Sequence, residues 1–401
     1  MAPVTKSKSK AVSGQLDDML ALLIVLMAQA GPPKLLRKLI AAAGSPSRFL
    51  GTSAETLVES SGHSMAEIEA VLSRCDTPEV RLAATRELKV MRQQGVELVT
   101  THDAGYPALL RTIPEPPLAL WVRGAVAPED VYALALLGSS RCTDYGRQQS
   151  ELFATALARH GITVINGGER GIDVASLEAA LAAGGRVIVA LGAGLMNHQR
   201  PAQALYDSVV DSGRGAVVSS VPLQTAPDSV NQVKGDHLVI GSSIASLIVE
   251  AGAQSGAMIA ARIAVDQIKR QVFAVPGPLE APNSAGPLRL IADGRASITI
   301  HPDHLLDALV DTAQHLAYRI ARAHPVLRLR EARSAERDPL SLLATEDQKA
   351  ILSELHYPQR AESLASSIDL PTPDVQRAAY RLALSGVLSR QDGKYDWVQP
   401  S

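Results

Sequence analysis

The chain has 401 residues, 46% of them hydrophobic, which is enough for two or three domains with separate cores. Its formal net charge is −2, so overall charge gives no reason to expect nucleic acid, and any basic surface must be local. The two cysteines, Cys75 and Cys142, have spacing that fits neither a disulfide framework nor a metal site, which favours a cytoplasmic protein. The apolar run Met19–Ala28 is too short to span a bilayer, so we expect a packed helix and no membrane association.

The amino-terminal part of the chain is predicted to be helical. Residues 1–13 read as a disordered tail, and residues 14–76 contain helical runs separated by glycine, proline and serine breakers. We expect a small helical domain, of the sterile-alpha-motif or helix-hairpin-helix kind. Such a domain either touches the DNA backbone or serves as a packing or interaction module, and the sequence leaves both readings open.

Residues 77–130 are predicted to connect this domain to the next. A helix over Pro78–Gln94 and a strand over Val96–Val99 precede a proline-rich segment. Prolines fix an extended path, and we expect Tyr106 and Trp121 to pack onto the following domain.

The central region, residues 131–310, alternates short apolar strands with helices. Strands are predicted at Val131–Leu137, Thr163–Ile165 and Arg186–Leu191, with helices at Gln148–Arg159 and Asp173–Ala183 between them. The fold class is therefore α/β, with an extended Rossmann-like parallel sheet and right-handed crossovers. Each strand ends on a glycine or polar turn, and these turns meet at the carboxyl edge of the sheet, where backbone N–H groups and helix N-termini favour anions.

The carboxyl-terminal part carries two further features. Residues 311–339 form an arginine-rich linker, which is either a solvated face or an arm that contacts phosphates. Residues 340–401 show three helices followed by a β-hairpin, the order of a winged-helix domain. The third helix, Asp374–Ser385, offers Gln376, Arg377 and Arg381 for base reading, but contact with another protein is about as well supported.

A series of glycine- and proline-containing motifs follows in order along the chain. They are Gly105-Tyr106-Pro107, Leu110-Arg111, Ile113-Pro114-Glu115-Pro116-Pro117, Val122-Arg123-Gly124, Gly138-Ser139 with Thr143-Asp144-Tyr145-Gly146, Arg170-Gly171-Ile172-Asp173, Gly184-Gly185-Arg186, Leu191-Gly192-Ala193-Gly194-Leu195, Val249-Glu250-Ala251, Ser255-Gly256-Ala257 and Val272-Phe273-Ala274-Val275-Pro276-Gly277. In this order they resemble the motifs of the DprA/Smf family of DNA-processing proteins. The resemblance implies an extended Rossmann-like domain flanked by a helical domain and a winged helix. It also implies binding of single-stranded DNA, loading of a RecA-type recombinase in transformation or recombination, and a homodimer. Leu247–Ile248 and the helix Met258–Ile268 are the candidate surroundings of the dimer interface.

The anion pocket that the resemblance implies is divergent here. Ser140 stands where the family usually has a basic residue, Glu169 precedes Arg170, and Leu177 replaces a usual histidine. Lys234-Gly235-Asp236-His237 replaces an arginine-rich stretch, and Leu288 replaces an asparagine near Arg289. Fewer cations mean weaker neutralisation of phosphates.

The predicted DNA- or phosphate-binding residues lie mostly on the glycine turns. They are Gly138, Ser139, Ser140, Arg141, Gly167, Arg170, Gly171, Lys234, His237, Ser255 and Gly256. Arg170 is the best candidate phosphate ligand among them, because packing of a hydrophobic core does not explain an arginine at this position. Asp173 is predicted to cap the following helix, and Lys234 and His237 flank Asp236 in a loop that is either salt-bridged or anion-binding.

No catalytic arrangement is apparent in the sequence. It shows no Ser-His-Asp order, no paired carboxylates at a plausible site, and no histidine spacing typical of a metal site. Glu250 ends a strand at the ligand edge, but the Pro-Gly-Gly-x-Gly-Thr signature of lysine-decarboxylase-like phosphoribohydrolases is replaced by Ala251-Gly252-Ala253-Gln254-Ser255-Gly256. We expect a non-enzyme without cofactor or metal that binds single-stranded DNA. The alternative is a Rossmann-like nucleotide sensor or nucleotide hydrolase that has lost the DNA surface.

Overall fold

The computed structural model describes residues 18–197, 200–323, 346–355 and 358–397. The predicted tail at 1–13 and residues 324–339 of the predicted linker lie outside this part of the chain. Within it, none of the helices combines the length and the apolar character that crossing a membrane requires.

Six helices form the amino-terminal part. Their bounds are 18–27 (α1), Pro33–Ala43 (α2), Pro46–Gly51 (α3), Ala54–Ser61 (α4), Met65–Cys75 (α5) and Pro78–Gln94 (α6). Four of them begin after a serine or threonine that caps the first turn, at Ser45, Ser53, Ser64 and Thr77. The last of them, α6, is tied to the rest of the molecule by the buried Glu87, whose Oε1 accepts a hydrogen bond from Leu223 N at 2.7 Å.

A nine-stranded sheet forms the centre of the molecule. Its strands are Val96–Thr100 (β1), Ala119–Gly124 (β2), Ala133–Leu137 (β3), Thr163–Asn166 (β4), Val187–Leu191 (β5), Gly215–Ser219 (β6), Ala245–Ile248 (β7), Gln271–Ala274 (β8) and Ser297–Ile298 (β9). The order across the sheet is β1-β2-β6-β5-β4-β3-β7-β8-β9. The seven strands from β6 to β9 in that order are parallel, while β1 and β2 are antiparallel to their neighbours.

The sheet corrects the prediction for residues 77–130. We expected this segment to connect two domains, but β1 and β2 extend the sheet, with Trp121 opposite Ser219 of β6. Tyr106 and Trp121 are buried, as expected, and Tyr106 Oη donates to Pro117 O at 2.9 Å. The proline-rich segment therefore joins β1 to β2 within one sheet and is not a linker between two separate domains.

Helices cover the sheet and set its crossovers. They are Asp144–Arg159 (α7), Ile172–Ala182 (α8), Arg200–Asp211 (α9), Ser229–Gly241 (α10), Gly256–Arg262 (α11), Ala285–Ala292 (α12) and Pro302–Ala323 (α13). Residues 238–240, which the sequence did not place, belong to α10. The predicted first strand begins at Ala133, since the residues before it form the 3-10 helix Pro128–Tyr132. Strand order reverses between β3 and β7, the place where ligands usually bind in such sheets.

The expected surroundings of a dimer interface need correction. Leu247 and Ile248 lie in β7, between β3 and β8, and both are fully buried. A strand in the middle of a sheet cannot meet a second copy through these side chains. Of the other candidate, the helical segment after Gly256, Met258 is buried and Ile259 is 38% exposed.

Within residues 346–355 and 358–397, the carboxyl-terminal part forms three helices and a small sheet. The elements are Glu346–Glu354 (α14), Gln359–Arg360 (β10), Ala361–Ile368 (α15), Thr372–Leu384 (α16), Leu388–Gln391 (β11) and Lys394–Trp397 (β12). The sheet is antiparallel, with β12 between β10 and β11. These elements follow the predicted order, and their assignment to the winged-helix class stays a prediction.

This part packs on the central region through α16. Tyr380 Oη donates to Leu306 O of α13 at 2.7 Å, and Gln314 Nε2 of α13 donates to Ala383 O at 3.1 Å. Gln376 lies 3.1 Å from His160 at the end of α7. The helix for which we left base reading and protein contact open is therefore directed at the central region, which argues against its use as a DNA-reading helix in this arrangement.

Candidate nucleic-acid interface

The turns after three parallel strands enclose a cavity of about 570 Å³ at the carboxyl edge of the sheet. Its lining comes from the turns after β3, β4 and β5, with additions from α9 and α10. The lining residues are Ser140, Arg141, Gly167, Gly168, Glu169, Arg170, Leu191, Gly192, Ala193, Asn197, Tyr206, Pro227 and Gln232. The sequence predicted this edge, and it predicted four of these residues: Ser140, Arg141, Gly167 and Arg170.

The turn after β3 is fixed by the start of α8. Ser139 O accepts a hydrogen bond from Ile172 N at 3.2 Å, and Ser139 Oγ accepts one from Arg141 N at 3.1 Å. Gly171 has φ of 79°, and its α-carbon lies so close to Ser139 O that a side chain would collide with the turn. Gly138, Ser139 and Gly171 therefore shape the site without lining the cavity themselves.

The turn after β4 is fixed from below by a buried asparagine. Asn166 Oδ1 accepts a hydrogen bond from Gly168 N at 2.9 Å, and Asn166 Nδ2 donates to Ser176 Oγ of α8 at 3.0 Å. From above, Tyr206 Oη donates to Gly168 O at 3.1 Å. The turn that carries Arg170 is thus held on both sides by hydrogen bonds.

Arg141 and Arg170 are the cations of the cavity. Both side chains are exposed, and neither forms an ion pair within the described residues. Arg170 comes two residues before α8, whose first N–H groups carry partial positive charge. Two unpaired guanidinium groups beside backbone donors are suited to a phosphate, since arginine binds phosphate through two parallel hydrogen bonds.

Asp173 differs from its prediction. It is not the cap of α8, because Gly171 holds that position and Asp173 is the second residue of the helix. Its carboxylate instead accepts hydrogen bonds from the backbone N–H groups of Gly167 and Glu169, the latter at 3.4 Å. Burial raises the pKa of Asp173 well above its ordinary value, and the nearby Glu169 carboxylate raises it further.

Asp236 adds a third carboxyl group to this region. Burial, with a smaller contribution from the Glu169 carboxylate, raises the pKa of Asp236 to about 7 against the opposing effect of His237. Glu169, Asp173 and Asp236 therefore interact electrostatically with one another, and Glu169 lines the cavity together with the two arginines. Each proton lost from this group adds negative charge close to where a phosphate would bind, so the carboxyl groups limit the affinity for anions.

Lys234 and His237 lie in a helix, not in the predicted loop. Both belong to α10 and neither lines the cavity. Lys234 Nζ donates to Asn231 Oδ1 at 3.1 Å, while the His237 ring nitrogens lie 2.8 Å from Val233 O and 2.9 Å from Gln267 Oε1. The predicted salt bridge with Asp236 does not occur among the described contacts, and both side chains are occupied within the helix layer.

Ser255 and Gly256 begin α11, on the other side of the strand reversal, and do not line the cavity. Ser255 Oγ is buried and has no hydrogen-bond partner within the described residues. Nearby Glu250, which the sequence placed at the ligand edge, accepts hydrogen bonds from Thr143 N at 2.9 Å and Thr143 Oγ1 at 2.6 Å. Both of its oxygens thus hold the start of α7, which gives this acid a structural role.

Four lining residues lie outside every turn that the sequence singled out. Asn197, Tyr206, Pro227 and Gln232 come from segments that follow β5 and β6. The glycines of the turn Gly192-Ala193-Gly194 indicated that the turn after β5 lines the cavity. The local sequence pattern does not indicate that α9 and α10 also contribute side chains to the lining. Leu177, where the family usually has a histidine, is fully buried in the core and supports packing.

The comparisons with known proteins agree with this fold. Residues 97–310 match the family model described as DNA recombination-mediator protein A. Protein Smf of Escherichia coli (strain K12) is 36% identical over 220 residues, which cover 55% of this chain and 58% of that protein. The DNA processing protein DprA of Bacillus subtilis (strain 168) is 29% identical over 214 residues, covering 53% of this chain and 71% of that protein.

A solved structure shows the same architecture. The X-ray structure of DNA processing protein A from Streptococcus pneumoniae superposes with a TM-score of 0.60 and 21% identity, covering 71% of this chain and 95% of that one. The chain spans 58% of the length of the Escherichia coli protein. More than half of the chain matches the family model over the whole parallel sheet, and the chain therefore belongs to the DNA recombination-mediator protein A family, also called DprA or Smf.

Proposed function

We propose that the protein binds single-stranded DNA, without strong sequence preference, at the cavity on the carboxyl edge of the sheet. The observation that carries the proposal is the pair Arg141 and Arg170, exposed and without ion pairs in the described chain, beside the start of α8. Phosphate contacts supply affinity without sequence information. The cavity offers phosphate ligands and backbone N–H groups, and only Asn197 and Gln232 offer side-chain amides to a base edge.

The wider role follows from family membership and belongs to the same proposal. A protein that holds single strands through their backbone leaves the bases free to be handed to a RecA-type recombinase, and the family description "recombination-mediator" supports this role. We propose a binding protein of the cytoplasm, not an enzyme. Glu250, the acid at the ligand edge that could have suggested catalysis, has both carboxylate oxygens engaged by Thr143.

The direct test is the affinity for thymidine oligomers as a function of salt, measured by fluorescence anisotropy on the full chain. The affinity is expected to fall steadily as salt rises, because bound phosphates release counterions. Oligomers of different sequence are expected to bind within a few fold of one another. Binding that is insensitive to salt, or confined to one sequence, would contradict the proposal.

Self-association is proposed on the resemblance to the family. Ile298 and Ile300 are 56% and 64% exposed at β9, the edge strand of the sheet, but they do not locate an interface by themselves. Light scattering at high micromolar concentration is expected to give the mass of a dimer. A monomer mass under those conditions would refute self-association.

A second candidate function rests on the carboxyl groups around the cavity. Its volume lies within the range of small-molecule pockets, and Glu169, Asp173 and Asp236 oppose the accumulation of many phosphates. A protein that binds one small nucleotide would tolerate them better than one that binds a long polyanion. A thermal-shift panel of nucleotides decides between the two: stabilisation by a single nucleotide, without affinity for thymidine oligomers, would favour this candidate.

A further inference from the structure

Arg270 is a buried cation without a carboxylate partner. It lies between the π-helical segment Ile263–Ile268 and β8, at the amino-terminal edge of the sheet. Its side chain is 7% exposed, and within the described residues it forms no ion pair. A charge removed from water without a partner of opposite sign destabilises the fold, so this arrangement calls for a physical explanation.

Two hydrogen bonds partly compensate the buried positive charge of Arg270 for its loss of hydration. Nε donates to Ser243 O at 3.0 Å, and Nη2 donates to Thr112 Oγ1 at 3.4 Å. The Ser243 carbonyl follows the end of α10, where the helix dipole is negative, and this offsets some of the positive charge. Nη1 makes no hydrogen bond within the described chain, so one side of the planar guanidinium group stays available.

Two more cations lie next to Arg270. Lys269 precedes it with φ of 60°, and Lys269 O accepts a hydrogen bond from Arg319 Nη1 of α13 at 2.7 Å. Burial, with a smaller contribution from the charge of Arg319, lowers the pKa of Arg270 to about 10. The neighbouring acid Asp266 is already paired with Arg295 at 2.7 Å. The charges of Arg270 and Arg319 thus lie close together, Lys269 is adjacent to them along the chain, and none of the three forms an ion pair within the described residues.

We propose that Lys269, Arg270 and Arg319 form a second phosphate-binding site, separate from the cavity at the carboxyl edge. The exposed Lys269 and Arg319 would meet the ligand at the surface, and Arg270 would offer Nη1 from below. Strands of four or five residues separate the two edges of the sheet, a distance of about 15 Å. The ligand class is a phosphate group, either of a nucleic-acid backbone or of a free phosphate compound.

The test begins with thermal unfolding of the full chain in sodium phosphate and in sodium chloride at equal ionic strength. The reference protein carries Arg170→Ala, which removes the main anion ligand of the cavity. Phosphate at tens of millimolar is expected to raise its melting temperature by about 2–4 °C, since a ligand that binds only the folded state stabilises it. Adding Lys269→Ala and Arg319→Ala is expected to abolish this rise. Both side chains are exposed, so the fold is expected to survive their truncation.

The matched control is Arg86→Ala in the same reference protein, because Arg86 is an exposed arginine of α6 far from the sheet edge in sequence. It is expected to keep the full response to phosphate. If the Lys269→Ala, Arg319→Ala protein responds to phosphate as the Arg86→Ala protein does, the proposed site is wrong and Arg270 is only a structural partner of Ser243 and Thr112.

A second measurement identifies the source of the phosphate. The Lys269→Ala, Arg319→Ala pair is placed in the otherwise unchanged chain, and binding of thymidine oligomers is measured against salt. A salt slope reduced by about one to two assigns the site to nucleic-acid backbone. An unchanged slope, together with the lost phosphate response, assigns it to free phosphate compounds. The second phosphate site does not depend on the proposed binding of single-stranded DNA at the cavity. Only the assignment of its ligand to a nucleic-acid backbone rests on that proposed function.

Discussion

Arg170 is the residue on which the proposed contact with DNA depends most. Its guanidinium group is exposed at the cavity, it has no ion pair in the described chain, and Glu169 beside it repels phosphates. Arg170→Ala is expected to weaken binding of thymidine oligomers by about 1.5–3 kcal/mol, the usual contribution of a charge-assisted hydrogen bond. The salt slope is expected to fall by about one, as measured by anisotropy titrations.

The melting temperature separates this role from a structural one. Because the Arg170 side chain is exposed, Arg170→Ala is expected to change the melting temperature little. The control Arg86→Ala is also expected to change the melting temperature little, and it is expected to keep full DNA binding. If Arg170→Ala unfolds the protein while the remaining folded fraction binds DNA normally, Arg170 is a structural partner of Glu169 or Asp173, and the site assignment fails.

Asp236 gives the fold a pH dependence that a substitution can remove. Its pKa is raised to about 7, far above that of an aspartate in the unfolded chain. A raised carboxyl pKa means that stability is highest while the group is protonated and is lost as pH rises toward 7. Asp236→Asn is therefore expected to stabilise the fold at pH 8, by about 2 kcal/mol, and to change it little near the ordinary pKa of aspartate. Denaturant unfolding at several pH values measures the difference.

The control for this prediction is Asp211→Asn, since Asp211 is an exposed aspartate of α9. It is expected to leave the pH profile unchanged. An Asp236→Asn profile parallel to that of the unaltered chain would show that Asp236 is ionised normally in the folded protein. The electrostatic account of the cavity would then lose its main support.

At the scale of elements, Glu250 fixes the start of α7 to the end of β7. Thr143, which caps α7, donates both its N–H and its hydroxyl to this carboxylate, and Gly146 packs against it with no room for a side chain. Glu250→Ala is expected to lower the free energy of unfolding by about 2–3 kcal/mol, because two charge-assisted hydrogen bonds are lost. Glu151→Ala, an exposed residue of the same helix, is expected to have no such effect. Unchanged stability of Glu250→Ala would reopen a catalytic role.

The docking of α16 is the other feature that belongs to this scale. Arg390 of β11 is buried and pairs with both Asp303, at 3.2 Å, and Asp307 on α13. Replacing the two acids by Asp303→Asn and Asp307→Asn removes the pairing from the central side and leaves the carboxyl-terminal part intact. Backbone amides of α16 are expected to exchange with solvent at least about tenfold faster, a change of about 1.4 kcal/mol.

Two comparisons decide whether that faster exchange reports docking. Asp311→Asn, an exposed residue of α13, is expected to leave exchange in α16 unchanged. Amides of β12 are expected to stay protected, because the small sheet does not depend on the two acids. Exchange in α16 that is unaffected by the double substitution would mean that Tyr380, Gln376 and Gln314 hold the helix without the ion pairs.

At the scale of the whole molecule, the local sequence pattern was sufficient to predict the parallel strands but not the antiparallel strands β1 and β2 that extend the sheet. Uniformly apolar runs ending on glycine predicted β3, β4 and β5 and the edge where the cavity lies. The antiparallel addition of β2 beside β6 depends on contacts between residues about 95 positions apart, such as Trp121 with Ser219, and no local period encodes them. The sequence therefore indicated a connector where the sheet continues.

The same limit explains which site residues were predicted. Arg141 and Arg170 belong to turns that directly follow strands, so their positions were predictable from the strand pattern. Lys234 and His237 were expected in a loop. Gly235 between them instead lies inside α10 and packs against Gly192, which follows β5, so that a larger residue would collide there. A glycine that permits close packing and a glycine that ends an element look alike in a single sequence.

DNA binding at the cavity is tested most directly by amide hydrogen exchange of the full chain with and without a saturating thymidine oligomer. Added protection is expected at residues 138–142 and 167–173, the turns after β3 and β4, and it is expected to disappear in Arg170→Ala at the same oligomer concentration. Protection confined to α16 and the β11–β12 hairpin, with none at the two turns, would contradict DNA binding at the cavity and would place it in the carboxyl-terminal part of the chain.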